Sequence, residues 1–100
     1  MRRDDIIAKL KETEPALRAS GVDALYLFGS QASGEAGPGS DVDVFVDPAS
    51  DDRFGFLQYM EVYAAIQKAV GDDIEVGYST RAGLSPYIRA AVEQEAVRVF

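Results

Sequence analysis

Asp41 and Asp43 stand one residue apart, eleven positions beyond the pair Gly29-Ser30. The run Ala24-Leu25-Tyr26-Leu27-Phe28 ends abruptly in that glycine and serine, and Ser40-Asp41-Val42-Asp43-Val44-Phe45-Val46 follows a loop of small residues. Both apolar runs read as β-strands. Side chains alternate along a strand, so Asp41 and Asp43 share a face at a Cα separation of roughly 6–7 Å. Two carboxylates held that close repel each other unless one binds a proton or a cation lies between them. A strand-to-helix turn at Gly29-Ser30 offers free backbone amides to phosphate oxygens, and glycine lets a phosphate approach without a Cβ in the way. Gly29 and Ser30 are therefore candidate phosphate contacts, and Asp41 and Asp43 candidate metal ligands.

A nucleoside triphosphate with two magnesium ions suits such a site. The ions would stand about 3.5–4 Å apart and clamp the attacking and leaving oxygens of an in-line displacement. A third carboxylate must come from a neighbouring strand and face the same way. Glu75 meets both conditions, flanked by Ile74 and Val76 that face the core, and Asp73 is the alternative two residues earlier.

The same residues carry a family resemblance. Leu27-Phe28-Gly29-Ser30, then Gly34-Glu35, then Ser40-Asp41-Val42-Asp43 resembles the signature of the DNA polymerase beta nucleotidyltransferase superfamily, and within it the minimal nucleotidyltransferases (MNT). Ile74-Glu75-Val76 and the stretch from Leu84-Ser85-Pro86-Tyr87-Ile88-Arg89 to Phe100 extend the likeness over nearly the whole chain. The resemblance implies a polymerase-beta-type fold and a Mg²⁺-dependent transfer of AMP from ATP to a tyrosine of a HEPN-domain ribonuclease toxin. It implies an antitoxin that also binds that toxin, in a hetero-oligomer. On this pattern Gly29 and Ser30 match the phosphate-contacting pair, Asp41 and Asp43 two metal ligands, and Glu75 a position usually held by aspartate. Ser33 stands where an arginine usually precedes Gly34; Arg53 and Arg81 are the nearest replacements, and both read as surface ion-pair residues. The alternative to an enzyme is an antitoxin of weak or no catalysis that neutralises its partner by binding.

Composition narrows the chemistry further. The chain has no cysteine and no histidine, which excludes disulfides and thiolate sites and removes the commonest zinc ligand and general base. Any metal must then be held by oxygen, which favours magnesium or manganese. The formal net charge is -7, and no Lys or Arg falls between Arg18 and Arg53 while seven acids do. That stretch would repel a nucleic-acid backbone, so direct nucleic-acid binding is not expected. No apolar run approaches the roughly 20 residues needed to span a bilayer, and the cytoplasm is the expected location.

The elements that must position the site follow from periodicity. Residues 4–19 predict helix, interrupted at Pro15 and restarted from Thr13 or Glu14. Strands are predicted over 23–28, 41–47 and 73–78. A long helix runs from an N-cap at Ser50 to Val70, closed by Gly71. Ser85-Pro86 opens a last helix with Leu84, Ile88, Ala91 or Val92, Ala96 and Val99 on its inner side. These make a single α/β (α+β) domain over residues 1–100: a small mixed sheet of about three strands flanked by helices. Phe54, Phe56, Leu57, Tyr59 and Tyr63 give the long helix more apolar surface than one buried stripe needs, so it serves either as a doubly buried helix or as a docking face.

Overall fold

The structure, a computed structural model, describes residues 3–29, 32, 41–50 and 52–100. Pro15 divides the first helical stretch as its missing amide dictates, into α1 (Arg3–Lys11) and α2 (Glu14–Ala19), and lies in the first turn of α2. Thr13, at the N-cap of α2, donates its hydroxyl back to the Leu10 carbonyl and so closes α1. Gly21, at φ +94°, turns the chain out of α2 into β1 (Val22–Phe28).

β2 (Val42–Pro48) pairs antiparallel with β1, Phe28 level with Asp43 and Tyr26 with Phe45. β3 (Val76–Thr80) runs parallel to β2, in register from Val42 beside Val76 to Val46 beside Thr80. β4 (Val97–Arg98) pairs antiparallel with the other side of β1, giving the order β3-β2-β1-β4. The sheet therefore has four strands where periodicity suggests about three. The Val99 amide donates to the Leu25 carbonyl (2.8 Å) and the Leu25 amide to the Phe100 carbonyl (3.1 Å), so residues read as the tail of a helix complete the sheet instead.

Strand alternation gives the sheet two different faces. Leu25, Leu27, Val42, Val44, Val46 and Val76 point to one side and close on Ile6, Leu10 and Leu17 of α1 and α2. They also close on Val62, Ile66 and Val70 of α3 (Phe56–Val70). A register shift between Val22 and Ala24 lets Val22 join this core despite its opposite parity. On the second face, Phe45 is fully buried under Leu84, in the turn after β3, and Val92 of α4 (Arg89–Glu95), with Tyr26 and Phe28 beside it.

Helix α3 begins at Phe56, not after Ser50. Gly55 is its N-cap, and the Gly55 amide donates to the Gln58 side chain (3.0 Å). Phe54, one residue before the cap, packs edge-on against Tyr59 in the second turn (6.4 Å between ring centroids), a hydrophobic staple that fixes where the helix starts. Gly71 closes α3 as expected, at φ +103°. At the other end of the chain, Ser85-Pro86 opens a turn whose Ser85 carbonyl accepts from the Ile88 and Arg89 amides, and regular helix begins only at Arg89.

Candidate active site

Asp41 immediately precedes β2 and Asp43 is its second residue. Both follow the alternation of Phe45, so they lie on the second face of the sheet, Asp41 exposed and Asp43 half-buried. The turn beside them is built on Gly29, whose φ of +74° strongly favours glycine, and the Ala32 amide donates to the Gly29 carbonyl (3.1 Å). A Cβ at Gly29 would stand 2.6 Å from Oδ2 of Asp43, so the turn comes directly against that carboxylate. Ser30, the second member of the proposed phosphate-contacting pair, lies outside the described residues, as do Ser33, Gly34, Glu35 and Ser40.

The third acid is placed differently from the expected mid-strand position. Glu75 is exposed and precedes β3 by one residue; its carbonyl accepts the Val42 amide at 2.9 Å, which sets it level with Asp41. Its parity is as expected, since Ile74 and Val76 pack into the core on the other face. Asp73 lies in the turn between α3 and β3. The Gln67 side-chain amide spans that turn, donating to the Gly71 and Ile74 carbonyls (both 2.7 Å), and β3 begins beyond it at Val76, level with Val42 of β2. Among the described residues no three acidic side chains are gathered closely enough to hold a metal ion. Asp41 and Asp43 come together; Glu75 does not complete a three-carboxylate cup with them.

The residue beside Asp43 in the parallel register is Gly77. A Cβ there would come well inside 3.0 Å of Oδ1 of Asp43. The Asp43 carboxylate thus lies between two glycine backbones, one oxygen towards each. Nothing in the strand prediction pointed to Gly77, although a glycine inside a β-branched run commonly marks a close approach by another group.

Burial, and after it the neighbouring Asp41 charge, pushes the Asp43 carboxyl above its ordinary value of 3.8. Paired, partly desolvated carboxylates of this kind suit one divalent cation, bound through oxygen. The raised value also predicts a pH dependence. The folded chain holds this proton more tightly than the unfolded chain does, so stability falls as pH rises from 3.8 through the raised value. Asp43→Asn should therefore melt higher than the parent at pH 7 in metal-free buffer, by about 1–4 °C, and lose that advantage at pH values below the ordinary range. Thermal melts at pH 7 and pH 3 check both halves, and a lower melting temperature at pH 7 would contradict the cost assigned to burying this charge beside Asp41.

The far half of the same face is locked by Arg81. Its Nε and Nη2 donate to the two oxygens of Asp47 (2.8 and 2.9 Å), and Nη1 donates to Glu93 of α4 (2.8 Å). The guanidinium lies 5.0 Å from the ring centroids of both Tyr26 and Phe45. Arg81 is an ion-pair residue, as its sequence context suggested, and it ties α4 to β2 behind the carboxylates.

A mixed sheet with helices on both faces, and a pair of aspartates at the start of a strand beside a glycine turn, is the arrangement of a nucleotidyltransferase. The chain belongs to the nucleotidyltransferase domain family, whose model matches residues 5–99. It is 29% identical over 79 residues to a Methanocaldococcus jannaschii protein that bears the name of a protein adenylyltransferase, covering 78% of this chain and 77% of that one. A solved structure described as a minimal nucleotidyltransferase superposes with a TM-score of 0.79 at 27% identity, over 97% of this chain and 95% of the other. A complex of a tri-AMPylated Shewanella oneidensis HEPN toxin with its MNT antitoxin gives a TM-score of 0.62 at 18% identity, over 94% and 71%. A toxin–antitoxin complex with AMP-PNP gives 0.66 at 21% identity, over 100% and 73%. The likeness to these last two is one of fold.

Proposed function

We propose that this single domain transfers AMP from ATP to a tyrosine hydroxyl of a HEPN-domain ribonuclease toxin, and acts in the cytoplasm as that toxin's antitoxin. The observation that carries the reading is the Asp41–Asp43 pair, set on one face where β2 begins, with the Asp43 carboxylate against the Gly29 turn in a nucleotidyltransferase fold. The toxin complexes of the same fold, one AMPylated and one holding AMP-PNP, support the choice of partner and nucleotide. Asp41 and Asp43 would hold Mg²⁺, which when bound offsets charge on the triphosphate and lowers the pKa of the acceptor hydroxyl. Gly29 and Ser30 would bring backbone amides and a hydroxyl to the phosphates. The acceptor oxygen forms a bond to the α-phosphorus, the bond from that phosphorus to the bridging oxygen breaks, pyrophosphate departs and the hydroxyl proton is released. Incubation with α-labelled ATP, Mg²⁺ and a HEPN partner encoded beside this chain should put label on a partner tyrosine. A partner left unlabelled with every nucleoside triphosphate would remove the enzymatic reading.

A second reading, neutralisation by binding alone, is favoured by one surface. Phe56 and Leu57 are 76% and 71% exposed at the start of α3, with Met60 one turn on at 42%. Met60 also lines a pocket of about 220 Å³ with Tyr59, Tyr63, Val76 and Tyr78, on the helical side of the sheet and away from the carboxylates. Apolar side chains this exposed are characteristic of a surface that a partner covers. Replacing Phe56 and Leu57 together by aspartate should weaken the toxin complex by about a hundredfold, the scale of two lost interface anchors. Because both side chains already face water, the melting temperature of the free protein should change by no more than about 2 °C. Calorimetric titration gives the affinity; an unchanged value would place the contact elsewhere.

A further inference from the structure

We infer that Gly77 is a positioning residue for Asp43: its missing side chain is what allows the Asp43 carboxylate to lie across β3, where it and Asp41 can share a cation. Glycine is not required at 77 by the backbone. Gly21, Gly29 and Gly71 are the described glycines with positive φ, and Gly77 is not among them. Nor does strand formation favour it, because a glycine between Val76 and Tyr78 weakens a strand that a β-branched residue would strengthen. The reason lies across the sheet. Among the described residues, the three heavy atoms nearest a Cβ built at 77 all belong to Asp43: Oδ1, Cγ at 3.5 Å and Cα at 4.0 Å. The opposite oxygen, Oδ2, stands 2.6 Å from the Cβ position of Gly29. The carboxylate is therefore spread between two glycines, and a side chain at 77 can be accommodated only by turning it out of that slot.

The parallel register adds a second consequence. Position 77 is the point on β3 level with Asp43 and on the same face, so it is where a carboxylate from the neighbouring strand would stand beside Asp43. Asp43 itself reaches into that space through Oδ1. The two aspartates consequently work as a pair, with Gly77 setting the direction of one of them. Gly29 is a poorer probe of this slot, because alanine at φ +74° would strain the turn whatever the carboxylate did.

The role assigned to the cation rests on the nucleotidyl-transfer reading, so the test has a metal arm and a metal-free arm. Mn²⁺ binding is measured by electron paramagnetic resonance or calorimetry on the parent and on Gly77→Ala. Thermal melts without metal are compared for the parent, Gly77→Ala, Asp43→Ala and the double variant. Gly77→Ala should weaken Mn²⁺ binding at least about tenfold, consistent with the sensitivity of sites to sub-ångström placement. It should raise the melting temperature in the Asp43→Ala background, where the two carboxylate atoms nearest the new methyl are gone, and raise it less or lower it in the parent. Equal Mn²⁺ affinities in parent and Gly77→Ala, or equal melting shifts in both backgrounds, would overturn the inference. If Gly77→Ala alone fails to fold, folding of the double variant supports the inference and failure of both overturns it. A parent that binds no Mn²⁺, with or without ATP, defeats the nucleotidyl-transfer reading and leaves the melting comparison to decide the role of Gly77.

Discussion

Alanine at both 41 and 43 is expected to lower Mg²⁺-dependent transfer of label from ATP to the toxin by about three orders of magnitude or more. That is the scale of loss when groups acting on developing charge at a reacting phosphate are removed. Stability should not suffer. Asp41 is exposed, and Asp43 is a half-buried acid whose charged form the fold disfavours, so the variant loses a source of repulsion. The exposed apolar surface of α3 lies on the opposite side of the sheet, so complex formation should stay within about threefold of the parent. Transfer assays and binding titrations on the same preparation separate the two functions. Undiminished transfer would show that the aspartate pair is not the reacting centre. Loss of transfer with undiminished protection of cells from the toxin would show that binding alone neutralises it.

The parts of this site legible in the sequence are those governed by local rules. Pro15 had to interrupt a helix, Gly71 had to close one, and the spacing of Asp41 and Asp43 had to put them on one face. The errors arise where one segment waits on another. Ser50 carries good N-cap chemistry, but the packing of Phe54 on Tyr59 moves the start of α3 to Phe56. The alternation of Asp73-Ile74-Glu75-Val76 reports correctly which residues face the core, yet a strand begins only where a partner begins, and β2 starts at Val42. Val97 and Arg98 fall within the span that reads as the end of the last helix, and only the free side of β1 makes them a strand. Register across β2 and β3 is a long-range property. It brings Gly77 beside Asp43 and leaves Glu75 at the mouth of the sheet, which no inspection of either segment alone could show.

Phe45→Ala is expected to be the most damaging single substitution on the carboxylate face. Phe45 is fully buried, stacks on Tyr26 with ring centroids 4.8 Å apart, and contacts Phe28 at 5.8 Å. Its ring also forms part of the platform beneath the Arg81 guanidinium, so truncation loosens the link from β2 to α4 that Asp47 and Glu93 complete. Removing a buried phenylalanine costs about 3–5 kcal/mol, to be set against a total stability of about 5–15 kcal/mol for a domain. For a chain of this length that corresponds to a fall in melting temperature of about 15 °C or more, measurable by circular dichroism or calorimetry. Phe45→Leu keeps most of the volume and should recover more than half of the loss, while forfeiting the ring contacts. Since Phe45 stands two residues after Asp43 on the same strand and face, transfer activity should fall in Phe45→Ala even at temperatures where the fold persists. A Phe45→Ala protein melting within about 5 °C of the parent would mean that the cluster over this face contributes little, and that the carboxylates are held by the opposite core alone.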